Sequence, residues 1–206
     1  MLDWSALLGE WPEEVSESHN IAPGQVVAGF SLDGAHAMRW GLIPAWSDDL
    51  SGKYSTFNAR VETAAIKPAY RSAWRHGRRC LLPALGYYEW QRHPGGKRPH
   101  FIRHADAQPL LFAGLYESAR GTEIPMSCTI LTCAARQDLA SIHHRMPVML
   151  SIEQGRTWLR AEMAESTNIL AQTTGPDIAS YEVSQRVNNA RNDGDDLIVP
   201  LNHLNH

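Results

Sequence analysis

A carboxylate among aromatic residues is the clearest candidate for chemistry in this chain. Glu89 lies in the segment GYYEW, where strand alternation places it on one face with Tyr87 and Gln91, while Tyr88 and Trp90 face the other way. Such a carboxylate either faces solvent on a half-buried sheet or is partly desolvated, with a raised pKa. A desolvated carboxylate would suit a general acid or base.

Two other segments carry polar side chains at the expected ends of elements. His143 and His144 precede Arg145 in SIHHRMPVML, where a histidine is either a structural cap or a proton shuttle beside a phosphate contact. Asn58 and Arg60 lie in FNARVET, just before a predicted helix. Asn58 would ordinarily cap that helix, and Arg60 would lie near its start, where phosphate binding is natural.

The three cysteines indicate a reducing setting rather than a disulfide framework, because their number is odd. Cys128 and Cys133 are five residues apart on a predicted strand, so they point to opposite faces, and their spacing fits no zinc motif. Cys80, beside two leucines, is expected to be buried. A thiol peptidase that uses one of these cysteines with His143 stays open as an alternative.

The elements that must position these residues are mostly strands. Strands are predicted at residues 25–30, 35–43, 81–83, 86–92, 99–104, 110–117, 128–134, 148–150 and 181–184, and helices at residues 4–10, 68–77, 137–143, 152–160 and 165–172. Strands that outnumber helices and do not alternate with them favour an α+β domain with a mixed or antiparallel sheet. The length of 206 residues suits one domain, and no apolar run approaches the ~20 residues of a membrane helix.

Cationic residues are concentrated in one part of a chain whose formal net charge is −3. Residues 60–104 hold ten Lys and Arg against two acids, Glu62 and Glu89. This clustering suggests a polyanion partner. Trp46, in a loop after a predicted strand, would be either a stacking platform for bases or a core or lid aromatic.

Taken together, these segments resemble one family. NIAPGQ, RWGLIPAW, FNARVETAA, RRCLLPALGYYEW, SIHHRMPVML and VSQRVNNARNDGDDLI occur in the order of the SRAP family, the SOS response-associated peptidases or abasic-site processing proteins. The resemblance implies a single domain over residues 1–206, with a mixed, mostly antiparallel, bifurcated β-sheet, a barrel-like core and peripheral helices. It implies single-stranded DNA with abasic sites as partner, in the bacterial or phage DNA-damage response. No cofactor, metal, membrane or obligate protein partner is expected, and the expected location is the cytoplasm, at the nucleoid when bound to DNA.

The resemblance also assigns roles. In the family, an N-terminal Cys freed of its initiator Met attacks the aldehyde of the opened abasic sugar, and its thiolate then closes a thiazolidine ring. By motif, Asn58 would orient the N-terminal residue or the sugar, Glu89 would relay protons during imine formation, and His143 would protonate the sugar oxygen. Four further residues would contact the DNA, the arginines at flanking phosphates and the other two at the pocket where the strand is splayed: Pro23, Trp46, Arg60 and Arg145.

The chain departs from the family pattern at its start. It begins Met1-Leu2-Asp3-Trp4 where the family begins Met-Cys-Gly-Arg. We therefore expect the usual first segment to be lacking, through truncation, a late start or a natural loss. The chain as written is expected to bind DNA without forming the crosslink. A non-enzymatic DNA-binding relic and the thiol peptidase are the competing hypotheses.

Overall fold

Ten β-strands and four short α-helices form the part of the chain that the computed structural model describes, residues 10–50 and 55–201. Residues 1–9, with nearly all of the predicted helix 4–10 and the altered start, lie outside the described residues. The strands are β1 (Val26–Ser31), β2 (Gly34–Trp40), β3 (Asn58–Arg60), β4 (Arg79–Ala84), β5 (Gly86–His93), β6 (Gly96–His104), β7 (Leu110–Glu117), β8 (Ser127–Ala134), β9 (Arg145–Pro147) and β10 (Ile178–Glu182). The helices are α1 (Val61–Ala64), α2 (Arg71–Arg75), α3 (Ile152–Arg160) and α4 (Met163–Gln172), followed by 3-10 turns at Gln185–Asn188 and Asp195–Ile198.

The larger sheet has seven strands and closes into a ring. Its order is β2-β1-β4-β7-β8-β3, with β9 also paired to β8, and a second edge of β2 pairs with β8. Strands β2 and β3 run parallel to β8, while the other pairs in this sheet are antiparallel. The predicted α+β class with a mixed, mostly antiparallel sheet is therefore confirmed. The closure is short, two residue pairs, so the sheet is ring-like without being a strict barrel.

A bifurcation of the ring brings β9 to the site. Strands β7 and β8 pair directly over four residues and then separate. The chain after β9 fills the gap, because the Val148 N–H donates to the Leu131 carbonyl at 2.8 Å and the Val148 carbonyl accepts from Ala113 at 2.9 Å. These hydrogen bonds of Val148 fix the position of the residues just before it, including Arg145 at the start of β9.

Apolar side chains cover both faces of the ring. Outside, Trp74 of α2 and Trp158 of α3 are buried, with ring centroids 6.2 Å apart. Inside, Met38 and Phe112 are buried in a second cluster. Strand β7 is buried along nearly its whole length, which explains its almost continuous apolar sequence. Burying one such large apolar side chain contributes about 1.5–3 kcal/mol.

The smaller sheet, in the order β10-β6-β5, lies against the ring through one face of β5. Tyr87 meets Phe112 of the ring edge-on, with ring centroids 5.9 Å apart. Tyr88, one residue on, packs instead against Phe101 at 5.2 Å. The predicted alternation of β5 is thus confirmed, and it turns the Glu89 face toward the ring.

Two of the predicted helices were wrong in extent or kind. The helix predicted at residues 68–77 begins only at Arg71, because residues 68–70 form a turn in which Tyr70 is buried. It ends at Arg75, and Gly77 follows in the left-handed region at φ +64°. Residues 137–142 form turns rather than the predicted helix; a segment of one or two turns has little helical stability of its own, and here the chain must turn into β9.

Candidate active site

Glu89 and His143 meet where β5 faces the turn before β9. The Glu89 Oε2 lies 3.5 Å from Nδ1 of His143, and both side chains are half-buried. The same approach is repeated two residues along β5, where the Gln91 side-chain amide donates to the Ser141 carbonyl at 3.0 Å. The predicted alternation of β5 therefore places a carboxylate against an imidazole, although the two residues are distant in the chain.

The surroundings of His143 orient its ring. Nδ1 lies 3.1 Å from the carbonyl oxygen and 3.2 Å from the backbone nitrogen of Arg145. An unprotonated Nδ1 accepts from the Arg145 N–H, whereas a protonated Nδ1 donates to the Arg145 carbonyl and faces the Glu89 carboxylate. The polar contacts of the ring within the described residues are all at Nδ1, which leaves Nε2 to reach a ligand. A carboxylate that holds one imidazole nitrogen while the other exchanges protons is an arrangement suited to general acid and base catalysis.

Asn58 and Arg60 share a sheet face with Arg145. All three pair with even-numbered positions of β8, and directly paired residues point to the same face. The side chain of Asn58 does not cap α1, whose N-cap residue is Arg60 and which has no side-chain cap. Both Asn58 and Arg60 are exposed. Asn58 and Arg60 therefore lie on the same sheet face as Arg145. Arg145 comes two residues after His143, which faces Glu89.

Arg145 is already engaged by a carboxylate. Its Nη1 and Nη2 donate to the two carboxylate oxygens of Glu62 at 2.7 and 2.9 Å, and Nη2 also donates to the Thr132 carbonyl at 2.6 Å. The hydrogen bonds from Arg145 lower the pKa of Glu62, burial opposes them, and the positive charges of Arg145 and Arg60 lower it further. The guanidinium predicted to hold a phosphate is therefore held by Glu62 in this structure.

Tyr87 adds a buried hydroxyl to the same face as Glu89. Its oxygen is buried and has no hydrogen-bond partner among the described residues. Burial, and then the nearby Glu89 carboxylate, raise the pKa of Tyr87. The side chain is therefore a neutral donor next to the candidate base.

Pro23 lies in the turn that precedes β1. It is exposed in a turn whose Gly24 N–H donates to the Trp40 carbonyl at 2.6 Å. The Trp40 indole in turn donates to the carbonyl of Phe57 at 2.9 Å, one residue before Asn58. The turn is thus tied to β3 through Trp40.

Trp46 stands at the approach to α2. Its side chain is 58% exposed, and its indole N–H donates to the carbonyl of Pro68 at 3.2 Å. It is therefore not a core aromatic, and the stacking platform and the lid aromatic both stay predictions. The cationic positions Lys67, Arg71 and Arg75 are exposed on the same stretch of chain.

The cysteines do not form a peptidase site with His143. Cys80 and Cys128 are fully buried, and Cys133 is half-buried. Burial raises the pKa of all three thiols. None of them is among the hydrogen-bond partners of His143. In residues 10–50 and 55–201, no three His, Cys, Asp or Glu side chains form a cluster that could hold a metal ion.

Comparison with known proteins places this geometry in a family. The profile of the SOS response associated peptidase (SRAP) family matches residues 4–190. The chain belongs to the SRAP family. It is 36% identical over 216 residues to the abasic site processing protein YedK of Escherichia coli K12, covering 97% of this chain and 95% of that protein. It is 35% identical over 195 residues to the abasic site processing protein YoqW of Bacillus subtilis 168, covering 90% of this chain and 87% of YoqW.

Solved structures agree with the SRAP assignment. A protein of Bordetella bronchiseptica superposes with a TM-score of 0.72 at 27% identity, over 82% of this chain and 90% of that protein. A Bacteroides thetaiotaomicron protein superposes with a TM-score of 0.73 at 23% identity, over 86% and 82% of the two chains, which shows a shared fold. None of the helices in the described part of this SRAP chain is long and apolar enough to cross a bilayer.

Sequence reasoning missed two groups of this SRAP site. In the sequence analysis, Glu62 was only one of the two acids within residues 60–104, although it lies in FNARVET two residues after Arg60. Its bidentate ion pair with Arg145 joins positions 83 residues apart, and no local pattern predicts such a pair. The buried hydroxyl of Tyr87 could have been found from its place two residues before Glu89 on one strand face.

Proposed function

We propose that this chain binds single-stranded DNA at abasic sites and that His143 and Glu89 act on the abasic sugar, His143 in opening its ring and Glu89 in imine formation. The observation that carries the proposal is the approach of the Glu89 carboxylate to within 3.5 Å of His143 Nδ1. Support comes from relatives that are named abasic site processing proteins. The exposed cations at residues 67–75 and the exposed Trp46, which bonds to Pro68, favour a DNA strand as the ligand.

The first chemical role falls to His143. An abasic deoxyribose exists mainly as a closed ring, and opening it requires a proton on the ring oxygen as the carbon–oxygen bond breaks. Nε2 of His143 is the group available to donate that proton, and the carboxylate at Nδ1 stabilises the imidazolium before donation. As that bond breaks, the anomeric hydroxyl gives its proton to water and becomes the carbonyl, so the product is an aldehyde at the former anomeric carbon.

The second role falls to Glu89 and concerns imine formation. An α-amine adds to the aldehyde, a carbon–nitrogen bond forms, and water leaves after proton transfers from nitrogen to oxygen. Glu89, half-buried and next to His143, is placed to carry those protons. Asn58, exposed on β3, would orient the sugar or the amine through its amide.

A stable adduct requires a thiol beside the amine. The thiol adds across the carbon–nitrogen double bond, forming a carbon–sulfur bond and passing its proton to nitrogen, which gives a thiazolidine. Only an N-terminal cysteine carries amine and thiol on adjacent carbons. The cysteines in the chain, Cys80, Cys128 and Cys133, are internal and carry no α-amine.

The test is a denaturing gel with an abasic oligonucleotide. The protein as written should bind this DNA without a denaturation-resistant adduct, whereas a version extended to begin Met-Cys-Gly-Arg should form one. In the extended protein, Glu89→Gln should slow adduct formation, while Glu153→Gln, the same change on exposed α3, should not. An extension with Ser in place of Cys should form no stable adduct.

Each outcome decides between the hypotheses. No binding to abasic single-stranded DNA by the protein as written would overturn the proposal. Binding with no adduct from the extended protein would favour a binding module without catalysis. A stable adduct from the protein as written would show that the nucleophile lies elsewhere.

A further inference from the structure

The second histidine of SIHHRMPVML has no role in the proposed function. The rings of His143 and His144 are in contact, with their centroids 4.4 Å apart and their planes tilted by 49°. His144 is exposed, and its ring makes no hydrogen bond or ion pair within residues 10–50 and 55–201. The ring is therefore held against its neighbour and is otherwise open to solvent.

Backbone bonds fix where the His144 ring stands. The carbonyl of His144 accepts from the Ala135 N–H at 3.0 Å, and Arg145, the next residue, begins β9. The His143 N–H donates to the Leu139 carbonyl at 3.1 Å. A substitution at position 144 leaves these backbone bonds in place, and replacing an exposed side chain usually changes stability little.

The position of His144 relative to the reacting sugar follows from the ring contact. The proposed function places the abasic sugar at Nε2 of His143, and the centroid of the His144 ring lies 4.4 Å from that of His143. Successive nucleotides of a stacked strand are separated by roughly 3.4 Å. A strand that presents its sugar to His143 therefore brings a neighbouring nucleotide to within about one such step of His144.

An abasic site offers an exposed aromatic ring a particular partner. The nucleobase next to the site has lost one of its two stacking neighbours, so one of its faces is uncovered. Aromatic side chains, histidine included, bind single strands by stacking on base faces. His144 is an exposed aromatic ring in contact with the candidate catalytic imidazole, so it can cover that base face.

We propose that His144 stacks on the nucleobase next to the abasic nucleotide. This inference rests on the proposed function and adds a base contact to it. A purine presents a larger face than a pyrimidine, so the contact favours an abasic nucleotide with a purine beside it. The competing role for His144 is to hold the His143 ring in place, and that role would not depend on the neighbouring base.

The experiment compares three single variants of the full chain. His144→Ala removes the ring, and His144→Phe keeps an aromatic ring without its nitrogens. The matched control is His93→Ala, which removes an exposed histidine at the end of β5. Binding is measured by fluorescence anisotropy with single-stranded DNA that holds a central tetrahydrofuran, a stable abasic analogue.

Five DNAs separate the base contact from other contacts. The first has a purine on each side of the analogue. In the second and third, the 5′ or the 3′ neighbour is replaced by another analogue, and in the fourth both neighbours are replaced. The fifth has a pyrimidine on each side.

The expected result is a loss that depends on the neighbouring base. With purine neighbours, His144→Ala should bind about 5- to 20-fold more weakly than the wild type, the lower part of the range for loss of one base–aromatic stack. The difference should be smaller with pyrimidines and should vanish when one particular neighbour, or both, is an analogue. His144→Phe and His93→Ala should bind every DNA as tightly as the wild type does.

Other results overturn the inference and are separable from failure of the proposed function. If the wild type binds and His144→Ala matches it on every DNA, His144 makes no contact with the strand. An equal loss by His144→Ala on all five DNAs would assign the ring to holding His143 or to the DNA backbone. A loss by His144→Phe as large as that by His144→Ala would show that the ring nitrogens, not stacking, make the contact. If the wild type binds none of the DNAs, the proposed function fails and this inference falls with it.

Discussion

Replacing Glu62 by Gln should release Arg145 to bind a DNA phosphate. In the structure, both terminal nitrogens of Arg145 donate to the Glu62 carboxylate, at 2.7 and 2.9 Å. A neutral amide at position 62 cannot accept two charge-assisted bonds, so it competes weakly with a phosphate for the same guanidinium. The carbonyl of Thr132, which accepts from Nη2 at 2.6 Å, would keep the side chain near its present position.

The magnitude follows from exposure and from counterion release. The side chain of Glu62 is 52% exposed and that of Arg145 is 17% exposed, so solvent screens the pair and its loss should cost at most about 1 kcal/mol of unfolding free energy. One added phosphate contact should tighten binding about fivefold at roughly 0.1 M salt and steepen the salt slope by about 0.7.

Fluorescence anisotropy with the abasic analogue in single-stranded DNA measures both quantities. The matched control is Glu153→Gln, which removes one exposed carboxylate from α3. It should change affinity and slope far less than Glu62→Gln does. Weaker binding by Glu62→Gln, or an unchanged salt slope, would refute the reasoning. Weaker binding would show that the ion pair between Glu62 and Arg145 is itself needed to position residues that contact the DNA.

Three further outcomes are expected. Arg145 lowers the pKa of folded Glu62 below its ordinary value of 4.5, so the pair stabilises the fold above that value and its contribution is lost as the pH falls through the folded pKa. In urea unfolding, Glu62→Gln should therefore lose less unfolding free energy on acidification than the wild type does. Equal losses would contradict this. Thiol alkylation followed by mass spectrometry should find Cys128 protected and Cys133 slow in the native protein, since burial raises both pKa values; fast native labelling would revive the thiol peptidase. Asn20→Ala should lower the unfolding free energy by about 1–3 kcal/mol, because the two N–H groups of the buried amide are shared among three carbonyls of residues 187–192 within hydrogen-bond distance; an unchanged denaturant midpoint would show that solvent replaces those bonds.

Strand alternation was the most reliable guide to the site. The sequence placed Tyr87, Glu89 and Gln91 on one face of a strand, and Tyr87 and Gln91 indeed contact the ring and the turn before β9. This worked because each face of β5 packs against a different partner, so the period of two is enforced along the strand. The family resemblance, which the SRAP profile confirms, then drew attention to His143.

Contacts between distant segments were beyond sequence reasoning. Two features depend on tertiary packing and not on local pattern. One is the parallel pairing of β2 with β8, and the other is the insertion of the chain after β9 between β7 and β8. The bidentate ion pair between Glu62 and Arg145 likewise depends on tertiary packing. The turns at residues 137–142 were predicted as a helix because their composition suits one, yet the chain must reverse there to enter β9.

The central claim is that Asn58, Glu89 and His143 contact the abasic sugar, and a crystal structure of the complex tests it most directly. The protein would be bound to single-stranded DNA that contains the tetrahydrofuran analogue. The account predicts the analogue ring within hydrogen-bond reach of Nε2 of His143, with the Glu89 carboxylate still on Nδ1 and the Asn58 amide beside the sugar. An analogue bound elsewhere on the protein, with no DNA at Asn58, Glu89 and His143, would contradict it.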